Sequence, residues 1–244
     1  MVKLKARLRK MASLVIPGSV VADIGTDHGY LPFYLICQGI SPKVFATEQS
    51  LLGLKEVSKL KEDHGLGAEL QLRTGDGFSA LYDDDCPDIA VISGMGGRTI
   101  AEIIQKGIDK ASAMDYLILQ PMRDIHLLRS SLKKIGFCII SEHLALENSF
   151  FFEIIKVEKG EAGKKRETPF PNEVSASLIE SGDPLLRPYL ENKLERSRQL
   201  VMSLSKTKQE KAQEKKNYYK ELINYLEEML LTVSKCSGDY EDNR

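Results

Sequence analysis

Four short strings in this 244-residue chain carry acids or glycines. They are Asp23-Ile-Gly25-Thr-Asp27-His28-Gly29, Glu48-Gln49, Gly75-Asp76-Gly77 and Ser93-Gly94-Met95-Gly96-Gly97. Glycine lets the backbone approach a ligand, and a carboxylate beside it accepts hydrogen bonds or faces a cation. A nicotinamide dinucleotide would want G-x-G-x-x-G and a bare helix N-terminus for its pyrophosphate. Here Asp27 stands at the second glycine, where its charge opposes a pyrophosphate. The acids suit a cationic, hydroxyl-rich ligand, and S-adenosylmethionine offers an ammonium, a sulfonium, a ribose diol and an adenine amine. On that reading Glu48, flanked by Gln49, accepts from both ribose hydroxyls. Asp76, followed by Gly77, accepts from the adenine amine. Asp23 or Asp27 meets the ammonium, and Gly25 admits the backbone. Gly94 and Met95 form either a tight strand-to-helix turn or a wall against which the methyl group and its acceptor lie. His28 is either a partner at the start of the following helix or a ligand to donor or substrate.

These strings need elements to bring them together. Short apolar runs rich in β-branched residues predict strands at Val20–Ile24, Val44–Thr47, Glu69–Arg73, Ile89–Ser93 and Tyr116–Gln120. Helical patterns lie between them near residues 32–38, 50–62, 98–108 and 124–135, with Ile100, Ile103, Ile104 and Ile108 as one stripe. The alternation predicts an α/β fold with a mostly parallel, Rossmann-like sheet, because parallel strands need crossovers. Each string then follows a strand, at the carboxyl edge where such sheets bind ligands. Cys138–Leu146 and Phe150–Val157 predict a hairpin that adds a C-terminal antiparallel strand, with Phe150–Phe152 mainly in the core. Residues 1–160 are expected to form the donor-binding domain and 161–172 a polar linker. Residues 173–244 are expected to form a helical, coiled-coil-like hairpin seamed by Leu186, Leu190, Leu194, Val201 and Leu204 and by Tyr218, Leu222, Tyr225, Leu226, Met229 and Val233.

The composition, 42 % hydrophobic and 28 % charged, excludes a wholly disordered or fibrous chain. No apolar run reaches the ~18–20 residues of a membrane span. The four cysteines are scattered without a CxxC, so neither a metal site nor a disulfide framework is expected, and a reducing, cytoplasmic setting is the default. Charge is uneven although the net is only −1. Lys3, Lys5, Arg7, Arg9 and Lys10 precede the first acid, Asp23. Between Arg187 and Lys220, ten basic residues face four acidic ones, among them Arg196, Arg198 and Lys208. Solvated helix faces would explain either stretch alone. Two such stretches on a near-neutral protein favour a polyanionic partner.

Asp23-Ile-Gly-Thr-Asp-His-Gly-Tyr-Leu-Pro32, Gly75-Asp-Gly77, Ile92-Ser-Gly-Met-Gly-Gly97 and Gln120-Pro121 together resemble the bacterial TrmK-like tRNA adenine-N1-methyltransferases, which modify position 22 in the D-arm. The likeness extends to Arg7-Leu8, Leu128-Arg129, Gly136-Phe137 and the C-terminal helices, and departs at Phe152, where a Tyr is common. It implies a class I methyltransferase domain, S-adenosylmethionine as donor, tRNA as acceptor and a C-terminal domain that helps hold the tRNA. A monomer is expected, without a metal. Adenine N1 has a free lone pair, so catalysis can rest on positioning and electrostatic support, with Asp27 the candidate for support. The Watson–Crick edge must be unpaired to react. Arg7, Arg9 and Lys10, with Arg196, Arg198 and Lys208, are the candidate tRNA contacts, and Arg7 is also a candidate for the target nucleotide itself. A methyltransferase acting on a protein or small molecule, or an RNA-binding protein with a vestigial pocket, are the alternatives.

Overall fold

The computed structural model describes residues 3–160, 168–205 and 210–238. Lys208 lies outside them, as do residues 161–167 of the expected linker. Seven strands, β1 (Val21–Ile24), β2 (Val44–Glu48), β3 (Leu70–Thr74), β4 (Ile89–Gly96), β5 (Tyr116–Arg123), β6 (Phe137–Glu147) and β7 (Phe150–Lys159), form one sheet in the order β3-β2-β1-β4-β5-β7-β6. All neighbours pair in parallel except β7, which runs antiparallel to both β5 and β6. The strand order reverses between β1 and β4, which opens a crevice at their carboxyl ends.

Period-two side-chain alternation gives each central strand two apolar faces. Ala22, Ile24, Ala90, Ile92, Leu117 and Leu119 pack on one side of the sheet. Helices α4 (Gly97–Lys106) and α6 (Ile125–Lys134) cover that face through Ile100, Ile104, Leu128 and Leu132. Val21, Ile89, Val91 and Ile118 pack on the other side, under α1 (Ala6–Ala12), α2 (Tyr30–Cys37) and α3 (Leu51–Asp63). Each buried Leu or Ile contributes about 1.5–3 kcal/mol relative to exposure.

The apolar stripe expected over 98–108 is broken at Gly107, after which α5 (Ile108–Ala113) begins. A Cβ at Gly107 would lie 2.5 Å from Cβ of Phe78, so the break lets the turn Gly77–Ala80 pack against the helix end. The hairpin turns on Asn148 and Ser149, with φ of 48° and 65°. Such turns require positive φ, which Asn tolerates. The core reading of the phenylalanine run needs correction at its first member. Phe150 begins β7 beside the turn and is 57 % exposed, whereas Phe151 and Phe152 pack against separate clusters.

The C-terminal helices are α7 (Ala176–Glu180), α8 (Leu186–Leu204) and α9 (Glu210–Gly238). Leu186, Leu190 and Leu194 of α8 meet Leu222 and Leu226 of α9 in a third cluster, which also takes in Leu144 of β6. Val201 and Leu204 are absent from that seam and Tyr218 is 40 % exposed, so the helical contact is shorter than the apolar pattern implies. Part of the expected linker is packed: the Phe170 ring sits 5.5 Å from both Tyr218 and Tyr225. A buried polar joint ties these helices to the sheet. Arg129 of α6 donates to Glu142 of β6 at 2.9 Å, to Glu153 of β7 at 2.5 Å and to the Asn172 carbonyl at 3.0 Å. The Tyr189 hydroxyl of α8 donates to the other Glu153 oxygen at 2.8 Å.

Candidate active site

The crevice holds two adjoining cavities that share Gly25, Glu48 and Met95. The smaller, about 260 Å³, is lined by Glu48, Gln49, Asp76 and Gly77 and walled by Thr99, Glu102, Ile103 and Lys106 of α4. The larger, about 790 Å³, takes in Lys3, Lys5, Arg7, Asp23, Asp27, His28, Gly94 and Glu147. Every donor-site candidate therefore borders one connected space. Arg7 borders it too, but Arg9 and Lys10 do not. They face a separate groove with Ser13, Leu144 and Leu185, and Arg9 donates to the Leu4 carbonyl at 2.9 Å. Arg196 and Arg198 are exposed on α8.

Beyond β1 the chain folds against the end of β2. The Gly25 and Thr26 amides donate to the Thr47 carbonyl at 2.9 and 2.8 Å. Gly25 has φ +76°, and a Cβ there would lie 2.1 Å from the Met95 methyl, so both conformation and space require glycine. Asp23 is buried at the end of β1. Burial pushes its carboxyl up to about 6, while the nearby Thr26 hydroxyl acts in the opposite direction.

Glu48 ends β2 with Oε1 held by the amides of Gln49 at 3.0 Å and Ser50 at 3.3 Å. Those amides lead into α3, which Ser50 caps by accepting from Leu52 and Gly53. The hold fixes the carboxylate and leaves Oε2 without a hydrogen bond among the described residues. Asp76 is more heavily engaged than expected. Its Oδ1 accepts from the Gln49 side-chain Nε2 at 2.6 Å and its Oδ2 from Lys106 at 3.1 Å, and these bonds hold its carboxyl below the usual range. An arriving amine must share this carboxylate with Gln49 or displace it.

His28 sits at the cavity mouth between two acids, with Nδ1 2.5 Å from Glu56 and Nε2 3.3 Å from Asp27. The hydrogen bond to Glu56 raises its pKa, with Asp27 adding to the effect. Asp27 is itself highly exposed. On the opposite wall the Arg7 guanidinium donates to the Gln120 side chain at 2.5 Å and lies 5.6 Å from the centre of the Phe152 ring. Burial lowers the Arg7 pKa and Glu147 opposes the shift. Glu147 also accepts from the Arg7 amide at 3.3 Å. Glu56, Lys106 and Glu147 are site neighbours absent from the sequence reading. Lys106 and Glu56 each lie one helical turn or more beyond the turn motifs, on faces that only the helix packing reveals.

A parallel sheet with acids at the ends of β1, β2 and β3 around a switch-point crevice is the architecture of a nucleotide-type methyl-donor site, and a family model described as a methyltransferase domain matches residues 4–155. The tRNA (adenine(22)-N(1))-methyltransferase of Bacillus subtilis is 33 % identical over 159 residues, 65 % of this chain and 66 % of that protein. The crystal structure of the B. subtilis M1A22 tRNA methyltransferase TrmK superposes with a TM-score of 0.81 at 26 % identity, covering 94 % of this chain and all of that one. Streptococcus pneumoniae Sp1610 in complex with S-adenosyl-L-methionine gives a TM-score of 0.80 at 28 % identity over 93 % of this chain and 100 % of that chain. The chain belongs to the methyltransferase-domain family, in its TrmK-like branch.

Among the described residues no His, Cys, Asp and Glu cluster is arranged to hold a metal, and no helix is long and apolar enough to cross a membrane.

Proposed function

We propose that the chain transfers the methyl group of S-adenosylmethionine to N1 of adenine 22 in the D-arm of tRNA. The observation that carries this reading is the set of acids at three successive strand ends, Asp23, Glu48 and Asp76, around one crevice. The residues fit the donor. A buried carboxyl at Asp23 awaits a cation, Glu48 keeps one oxygen for a diol, and Gly25 opens the floor that a Cβ would close. Its family membership and the activity named for its B. subtilis relative support the same acceptor.

When bound, S-adenosylmethionine supplies an electrophilic methyl group on a sulfonium. The acceptor nitrogen carries its own lone pair, so no side chain needs to remove a proton first. The chain must hold two reactants in line and exclude competing nucleophiles. In this assignment Asp23, Gly25, His28, Glu48, Gln49, Asp76, Gly77 and Gly94 hold the donor, and Met95 covers Gly25. Asp27 faces the cation that develops on the base, and Arg7 contacts the target nucleotide. Arg9, Lys10, Arg196, Arg198 and Lys208 contact phosphates elsewhere on the tRNA. Residues 1–160 act as the donor-binding domain and 173–244 as the tRNA-holding helical domain of a cytoplasmic monomer.

The test is methyl transfer from labelled donor to unmodified tRNA, followed by nucleoside mass spectrometry and mapping of the labelled position. N1-methyladenosine at position 22 is the expected result. Donor binding without labelled tRNA would move the acceptor to a protein or small molecule, and failure to bind donor would leave only a vestigial pocket.

A further inference from the structure

Gln120 ends the central part of β5 and is fully buried, next to Ser93 of β4 in the strand register. A buried amide must satisfy both its ends, and this one does so asymmetrically. Its Nε2 donates to the Pro121 carbonyl at 2.7 Å, which ties the side chain to its own strand. Its Oε1 accepts from Arg7 Nη1 at 2.5 Å, 113 positions away in sequence. We propose that Gln120 is a positioning residue for methyl transfer, setting the Arg7 guanidinium at the acceptor side of the crevice without a direct ion pair.

Three features support the assignment. First, a guanidinium has five N–H donors in a rigid fork. Among the described residues only one side-chain bond from Arg7, the one to Gln120, is formed, and no carboxylate lies within ion-pair distance of the guanidinium. The remaining donors border the larger cavity, where an acceptor-rich group such as a nucleotide phosphate or base edge would satisfy them. Second, the orienting partner is neutral. A carboxylate here would pair with Arg7 and cancel the charge that an anionic substrate needs, whereas an amide oxygen fixes the fork without neutralising it. Third, the surroundings restrict Arg7 to one pose. The Phe152 ring lies beside the guanidinium and Glu147 holds the Arg7 backbone amide, while Ser93, the register partner of Gln120, leads directly into Gly94 and Met95. The amide thus links the acceptor-side cation to the wall expected to carry the methyl group.

This inference rests on the reading of Arg7 as a substrate contact, so its test separates the two. Gln120→Met keeps shape and burial but removes the acceptor. Turnover and KM for tRNA, donor affinity by calorimetry and thermal unfolding are measured for Gln120→Met, Arg7→Ala, the double variant and Gln120→Glu. Gln120→Met is expected to lower kcat/KM for tRNA about tenfold or more, because a misplaced contact loses transition-state stabilisation. Donor affinity should stay within about twofold in the same variant, since among the described residues the Gln120 side chain bonds only to Arg7, the Pro121 carbonyl and Met122. The double variant should be no worse than Arg7→Ala, and Gln120→Glu, which holds Nη1 but neutralises the guanidinium, should lose turnover as well. Gln120→Met with wild-type turnover, an additive double variant, or wild-type turnover in Gln120→Glu would each overturn the positioning role while leaving Arg7 in place. An Arg7→Ala variant with full turnover would remove both readings. A wild-type chain that methylates no tRNA would remove the proposed function with them.

Discussion

In the proposed assignment Asp23 couples proton binding to donor binding. Its folded-state pKa of about 6 lies above the ordinary carboxylate value, so between the two the folded protein holds the extra proton. The donor-free protein therefore loses stability as pH rises through that window, and above about 6 carries the cost of a buried charge. A donor ammonium seated on Asp23 needs the carboxylate. Donor affinity should fall roughly tenfold per pH unit below about 6, and Asp23→Asn should bind weakly with a flat profile. Calorimetry from pH 5 to 8 checks this, and an unchanged slope in Asp23→Asn would place the ammonium elsewhere. Glu48 gives a simpler case, because its Oε1 is already fixed by backbone amides. Glu48→Ala should weaken donor binding by ~1–3 kcal/mol while leaving tRNA affinity nearly intact. Equal donor affinity in that variant would remove Glu48 from the site. The strand-end acids were legible because turn glycines and acids sit together in sequence. Lys106 and Glu56 were not, because what brings them to Asp76 and His28 is the packing of α4 and α3, which leaves no local signature.

At the scale of elements, periodicity located every strand of the sheet, since β-branched runs bounded by turn residues carry their own punctuation. It overran at α4, where a single apolar stripe hid the break at Gly107, and in the C-terminal seam. There Val201, Leu204 and Tyr218 continue an apolar pattern without joining the core. Heptad spacing records what a helix offers, whereas the length of the contact depends on what the partner helix and the sheet supply. The Gly96-Gly97 pair shows the converse, a close approach that sequence marks only as glycine. A Cβ at Gly97 would lie 2.4 Å from the Asp124 carbonyl, at the start of α6. Gly97→Ala must push α4 and α6 apart and should cost about 1–3 kcal/mol of stability. Urea unfolding followed by circular dichroism measures it, and an unshifted midpoint would show that the α6 terminus yields freely.

At the scale of the whole molecule, the Arg129 joint and the apolar cluster around Leu144 attach the basic helices directly to the edge of the catalytic sheet. Ion pairs around these helices limit which cations are free to serve a polyanion, and charge counting along the chain overstates them. Lys193 is paired with Glu173 at 3.0 Å, Arg187 with Glu191 at 3.1 Å and Arg198 with Glu227 at 2.7 Å. Arg196, two positions from Arg198, is exposed and makes no ion pair among the described residues. A phosphate gains most from a cation that has no carboxylate to abandon, since a paired Arg must first give up or share its partner. Each phosphate neutralised contributes to the salt dependence of binding, so losing one true contact should reduce the slope of log K against log salt by about 1. Arg196→Ala is therefore expected to weaken tRNA binding at low salt and flatten that slope, while Arg198→Ala changes both less and takes away the ion-pair partner of Glu227. Filter binding over a series of salt concentrations distinguishes them. If Arg198→Ala has the larger effect, tRNA must break the Arg198–Glu227 pair on docking, and the binding face of α8 is then the side turned toward α9.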